Sequence, residues 1–366
     1  MTPLALVLAV LVVAGVALSV RGQGAGDPFS SHPASAAVQV PAALPATDVV
    51  SLPAHSVADG TKPLAVTLSA PVSETSPKPV LRPAVGGSWT IAGDSEVFTP
   101  ASTLEPCTKY TLTVWADTIS TGHSRLGKRR TVDLQVACPP TAGLQQALAR
   151  LGYLGAKLHP LYTFHSPSHE TRAEAAAHAF DPPRGRLAPD PSDAPPVKMG
   201  TLDATTKGAI TVYQAVHDLP ETGEADAATW ASILSSEAAD RRDPSPYTWV
   251  SVTESLPETL EVHRGHRVVF TTPANTGVPG AATEQGIFPI YSRFVSTTMS
   301  GTDVDGTKYK VPDVPWVNYF NGGDAVHGYP RASYGFPQSN GCVELPIEAA
   351  HTVFGMLRLG DIVWVT

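Results

Sequence analysis

Ser339-Asn340-Gly341-Cys342-Val343 follows Ala325-Val326-His327-Gly328, with the cysteine fifteen residues after the histidine. The chain holds three cysteines. Cys107 and Cys138 can pair with each other, which leaves Cys342 over. An odd cysteine in an exported protein is either an intermolecular bridge or a reactive thiol. A glycine directly before it and a His-Gly within one hairpin's length favour the thiol. A sulfur nucleophile needs a base nearby and backbone N–H groups to hold the oxyanion it creates.

Outward from this stretch the chain reads as mostly β. Trp249 to Thr253, Thr259 to His263 and His266 to Thr271 have strand patterning, and Asn275-Thr276-Gly277 makes a turn. Thr283 to Ile290 reads as a further strand, and Trp316 to Phe320 leads through Asn321-Gly322-Gly323 to His327. Pro346 suits the first turn of a helix running to about Arg358, and Asp361 to Val365 closes as a strand.

Four marks stand together here: Asn275-Thr276-Gly277, Thr283 to Phe288, His327-Gly328 and Ser339 to Cys342. With them residues 247–366 resemble an L,D-transpeptidase catalytic domain of peptidoglycan synthesis. The resemblance implies Cys342 as nucleophile and His327 as its base, with a carbonyl near Gly328 orienting the imidazole. It implies Ser339 hydrogen-bonding within the loop and the N–H groups of Gly341 and Cys342 as oxyanion donors. Gly341 would also allow close backbone approach to the reacting carbonyl. Asn340 and Tyr319 are the expected substrate contacts, Tyr319 also reading as cleft wall. The implied reaction forms a thioester with a tetrapeptide stem, releases D-alanine and makes 3→3 cross-links. Water as acceptor would make it an L,D-carboxypeptidase. No cofactor or metal is implied, and covalent inhibition by carbapenems is expected. Asn340 and Glu344 depart from the family, which often has His and then Arg or Asn there; Glu284 stands where many members have Pro. These departures leave one competitor, an idle wall-binding scaffold. A papain-like protease fails on order, because there the cysteine precedes the histidine.

Upstream, residues 61–139 carry short alternating runs at regular spacing, among them Leu64 to Ser69, Tyr110 to Trp115 and Thr131 to Val136. That pattern suggests a small β-sandwich, and Leu104 to Tyr110 resembles bacterial immunoglobulin-like domains. Cys107 and Cys138 flank this module and are expected to be bonded, closing a loop of about 30 residues. Residues 140–238 turn helical. Leu144, Leu148 and Leu151 share one face, Asp203 can cap a helix burying Ile210, Tyr213 and Val216, and Asp226 can cap the next. Their order resembles a three-helix peptidoglycan-binding domain interrupted by an insertion, residues 155–200. The insertion holds His159, His165, His169 and His178, and reads as a solvated loop rather than a zinc site, because Pro160 and Pro167 break the helical spacing and no Cys accompanies the histidines.

Pro3 to Val20 is an uncharged apolar run of 18 residues, so residues 1–22 read as a signal peptide or a membrane anchor. Residues 23–60, rich in Ala, Pro and Ser, read as a flexible linker. The whole of 366 residues, with 35 Pro, 30 Gly and 16% charged residues, is therefore expected to be multidomain and mainly β. A net charge of −8 disfavours a nucleic-acid partner. Peptidoglycan is the expected partner, and the location extracytoplasmic, in the wall or anchored on the outer face of the cytoplasmic membrane.

Overall fold

The computed structural model describes residues 47–57, 60, 62–158, 171–180, 187–189 and 194–366. Residues 1–22, most of the 23–60 linker, and His159, His165 and His169 lie outside them. Among the described residues no helix is long and apolar enough to cross a membrane. Leu44–Thr366 forms one compact unit.

Its first part is two four-stranded sheets. One has the order β1 (Val49–Ser51), β3 (Leu64–Leu68), β6 (Ser95–Pro100), β5 (Gly87–Ala92). The other runs β2 (Ser56–Val57), β8 (Arg130–Val136), β7 (Lys109–Val114), β4 (Val80–Arg82). Alternation puts Leu64, Val66 and Leu68 of one sheet and Leu112, Leu134 and Val136 of the other into a single core. The sandwich begins earlier than the sequence suggests, since β1 pairs with β3 and β2 with β8 inside the stretch read as linker. Edge strands of two or three residues are too short to show a period. Cys107 and Cys138 are bonded, and Cys107 also packs against the helical core that follows.

That core gathers α1 (Thr141–Arg150), α2 (Arg172–Phe180), α3 (Ala204–Val216) and α4 (Ala227–Ala238), with β9 (Ala156–Leu158) and β10 (Leu187–Pro189) as a small ribbon. Asp203 and Asp226 cap α3 and α4 through Thr206 N–H and Thr229 N–H, both at 2.8 Å. Leu148, Ile210, Tyr213 and Trp230 are buried together. The insertion is not only a solvated loop. Its helix α2 buries Ala175, Ala176 and Ala179 in this core, and a Cβ at Gly143 would lie 2.1 Å from the Ala179 carbonyl oxygen. The small side chains give a weak apolar signal, which is why composition hides the helix.

The C-terminal part has two further sheets. The first has the order β13 (Arg267–Pro273), β12 (Thr259–Arg264), β11 (Thr248–Thr253), β19 (Ile362–Val365), β14 (Gly286–Pro289). The second has the order β15 (Ser292–Thr302), β16 (Lys308–Asn321), β17 (Asp324–Gly328), β18 (Val343–Leu345). Val250, Val262, Phe320, Val326 and Val343 join Val353 of α5 (Ile347–Met356) in one core.

Helix α3 lies directly on this part. A Cβ at Gly208 would sit 2.4 Å from the Gly360 carbonyl oxygen and 2.8 Å from Ile362 Cδ1. Arg358 donates to both oxygens of Asp243, at 3.0 and 3.1 Å, and its backbone N–H donates to Asp361. Burial pushes the Asp361 carboxyl up to about 7, with Arg358 opposing. The helical module is thus seated by backbone contact. Gly208→Val is expected to destabilise the protein by about 1–3 kcal/mol, the usual penalty of overpacking. A thermal melt checks it, and an unchanged Tm would mean that α3 sits loosely.

Candidate active site

Strand pairing brings the two key residues together. β17 and β18 run parallel, with Val326 opposite Val343 and His327 opposite Glu344. Side chains alternate with period two, so His327, Glu344 and Cys342 share one face, with Cys342 two positions before Glu344. His327 and Cys342 line the same pocket of about 450 Å³.

The loop carrying the thiol is clamped by residues distant in sequence. Asn275 and Glu344 exchange backbone hydrogen bonds at 2.9 Å. The Thr276 carbonyl accepts from the N–H groups of Gln338 and Ser339, and Ser339 O accepts from Val278 N–H. Thr283 Oγ1 accepts from Gly277 N–H at 3.0 Å and donates to Gly341 O at 2.9 Å. Behind them the buried Glu258 carboxylate accepts from Thr276 N–H and Thr276 Oγ1, both at 2.7 Å. The Asn-Thr-Gly turn and Thr283 therefore hold the Ser339–Cys342 loop in place.

Within that loop Ser339 Oγ donates to the Cys342 carbonyl and accepts from Gly341 N–H at 3.2 Å. Gly341 N–H is thus occupied, and of the two backbone donors expected from the sequence it is not the one directed at a substrate. The backbone gives Gly341 a further reason to be glycine. Its φ is +110°, and a Cβ there would lie 2.4 Å from Asp324 Oδ1.

His327 is buried, and its Nδ1 lies 3.0 Å from Gly328 O. A carbonyl can only accept, so Nδ1 carries the proton and Nε2 is the ring's acceptor. Burial holds its pKa below the ordinary value, with the Gly328 contact opposing. Cys342 is a free, half-buried thiol. Burial pushes it up to about 12; the Ala325 N–H that it accepts opposes this, and Asp324 and Glu344 add to it. Both shifts favour the neutral forms, imidazole and thiol, over an ion pair.

Asn340 and Ser339 line the pocket with Cys342. Tyr319 packs in a small cluster with Cys342, Val314 and Val317 but does not line the pocket. Glu344 forms a two-pronged pair with Arg331 at 2.7 and 2.8 Å, and Arg331 also donates to Gln338 O. This gives the acidic residue after the cysteine a structural partner, one that sequence reading did not find. Sequence patterning marks only the end of the β15–β16 hairpin, Trp316 to Phe320, whereas Met299, Tyr309 and Val311, which wall the pocket, lie on its unmarked part. Pro312 and Pro315 lie within β16, and Pro ordinarily argues against a strand.

Residues 246–365 match the L,D-transpeptidase catalytic domain, and residues 187–233 a putative peptidoglycan binding domain. Similar solved structures include a mutant L,D-transpeptidase of Enterococcus faecium, with 22% identity, 34% of this chain and 52% of that one covered, and a TM-score of 0.31. An L,D-transpeptidase from Mycobacterium smegmatis has 13% identity, coverage of 87% and 99%, and a TM-score of 0.30. L,D-transpeptidase 3 from Mycobacterium tuberculosis, in complex with a faropenem-derived adduct, has 16% identity, coverage of 87% and 98%, and a TM-score of 0.30. The chain thus spans about half the length of the enterococcal protein. No curated protein sequence matches it. The chain carries an L,D-transpeptidase catalytic domain over residues 246–365, preceded by a peptidoglycan-binding domain over residues 187–233.

Proposed function

We propose that the protein is a cell-wall L,D-transpeptidase that works through a Cys342 thioester. The observation that carries this reading is the placement of Cys342 and His327 on one face of adjoining parallel strands, lining a single pocket. His327 Nε2 takes the thiol proton as sulfur attacks the amide carbonyl between the diamino acid at stem position three and D-alanine at position four. The Cys342 backbone N–H holds the oxyanion. The C–N bond then breaks, His327 returns the proton to the leaving D-alanine nitrogen, and the stem remains as a thioester. An amine of a second stem resolves it as a 3→3 cross-link. Gly328 O and Ser339 position the base and the nucleophile loop.

The helical module brings the protein to peptidoglycan, and the protein works outside the cytoplasmic membrane, secreted or anchored through its N-terminal segment. The Cys107–Cys138 bond supports an oxidising location. The test is incubation of the purified protein with a disaccharide-tetrapeptide, followed by mass spectrometry. Release of D-alanine with formation of the 3→3 dimer is expected. Release of D-alanine with tripeptide alone would make it an L,D-carboxypeptidase, and no release would leave the wall-binding scaffold.

A further inference from the structure

We propose that Asp324 is the carboxylate that receives the acyl-acceptor amine and takes its first proton in the second half of the reaction. This rests on the transpeptidase reading and assigns a residue to the step that distinguishes it from hydrolysis.

Four observations carry the assignment. First, β17 sets three residues in a row beside the nucleophile: Asp324, then Ala325, whose N–H is donated to the Cys342 sulfur, then, two further on, His327. Second, the carboxylate rests against the backbone just before the nucleophile, close enough that any Cβ on Gly341 would meet Asp324 Oδ1 at 2.4 Å. Third, His327 lines the pocket described above and Asp324 does not, so the two flank Cys342 from different surroundings. Fourth, among the described residues the half-buried Asp324 carboxylate has neither a hydrogen-bond nor an ion-pair partner.

A half-buried carboxylate left without a partner costs stability instead of adding it. Nor does it help the first step, because its negative charge raises the Cys342 thiol. Burial, with the Glu284 charge adding, lifts Asp324 to about 6, so it is a base of useful strength near neutrality. The group it suits is cationic and must lose a proton beside the sulfur. An acceptor amine is that group.

The step balances as follows. The acceptor arrives as an ammonium ion. Asp324 takes one proton and becomes the neutral acid, leaving a free amine. The amine nitrogen attacks the thioester carbonyl carbon and forms the C–N bond. His327, neutral after the first half-reaction, takes the second proton from nitrogen and gives it to sulfur as the C–S bond breaks. Cys342 is regenerated as a thiol, and Asp324 releases its proton to water.

Asp324→Asn separates the two half-reactions. A carbapenem, which needs no acceptor, reports the first by intact mass. The tetrapeptide reports the second by the rate of dimer formation from the accumulated acyl-enzyme. Acylation by the carbapenem is expected to be no slower than in wild type, which also shows that the variant is folded. Dimer formation is expected to fall at least tenfold and to lose its rise with pH around 6. Asp324→Glu should recover part of the rate. Wild-type aminolysis in Asp324→Asn would overturn the proposal, and so would loss of carbapenem acylation. Failure of the wild-type protein itself to make any dimer would instead overturn the transpeptidase reading on which it rests.

Discussion

Cys342→Ala is expected to abolish both D-alanine release and the carbapenem mass adduct, with the fold retained. The thiol is half-buried and packs lightly in a small cluster, so removing one sulfur leaves only a small gap. The loop around it is held by Thr276, Thr283 and Ser339 through bonds that do not involve the sulfur. Among the described residues Cys342 is the only free cysteine, since Cys107 and Cys138 are bonded to each other. No second thiol can therefore substitute. Intact mass after carbapenem treatment, with a thermal melt as control, decides the matter. An adduct on the alanine variant at more than a few per cent of wild type would place the nucleophile elsewhere.

Much of this site was legible because its signals are local. Asn275-Thr276-Gly277, His327-Gly328 and Ser339 to Cys342 are short runs with fixed chemistry, and the helix caps Asp203 and Asp226 stand next to what they cap. What escaped reading depends on contacts that sequence spacing does not announce. Glu258 supports Thr276 from eighteen positions away, and Arg331 pairs with Glu344 across thirteen. Nothing in either residue's neighbours marks it as a partner. All of the β15–β16 hairpin but its end, Trp316 to Phe320, was hidden for a different reason. β15 and the first half of β16 supply no residue to the main core, so alternation is weak there, and the prolines argue against a strand. Gly341 shows the limit of reading residue types. The sequence suggests glycine there for close approach to a carbonyl, whereas the structure adds a constraint it does not announce, a positive φ against the Asp324 carboxylate.

His327→Ala is expected to slow acylation by about 10²–10⁴-fold at pH 7, the usual worth of a positioned base. The pH profile is the stronger test, because the two groups are shifted in opposite directions. Burial holds His327 below its ordinary 6.5 and pushes Cys342 up to about 12. In the wild-type protein the active form is neutral imidazole with thiol. Its rate should therefore rise as pH climbs through the depressed histidine value, then stay level across neutrality until the thiol itself ionises. Without the imidazole only pre-formed thiolate can attack. The variant's rate should then increase about tenfold per pH unit from neutrality toward the thiol's pKa, because the thiolate fraction does so. The difference between the two enzymes should shrink steadily as pH rises. Single-turnover acylation by a carbapenem, followed over pH 5 to about 10, measures both curves. A variant with a level profile at the wild-type rate would mean that the thiol is activated without His327, and the neutral pair would not be the catalytic device.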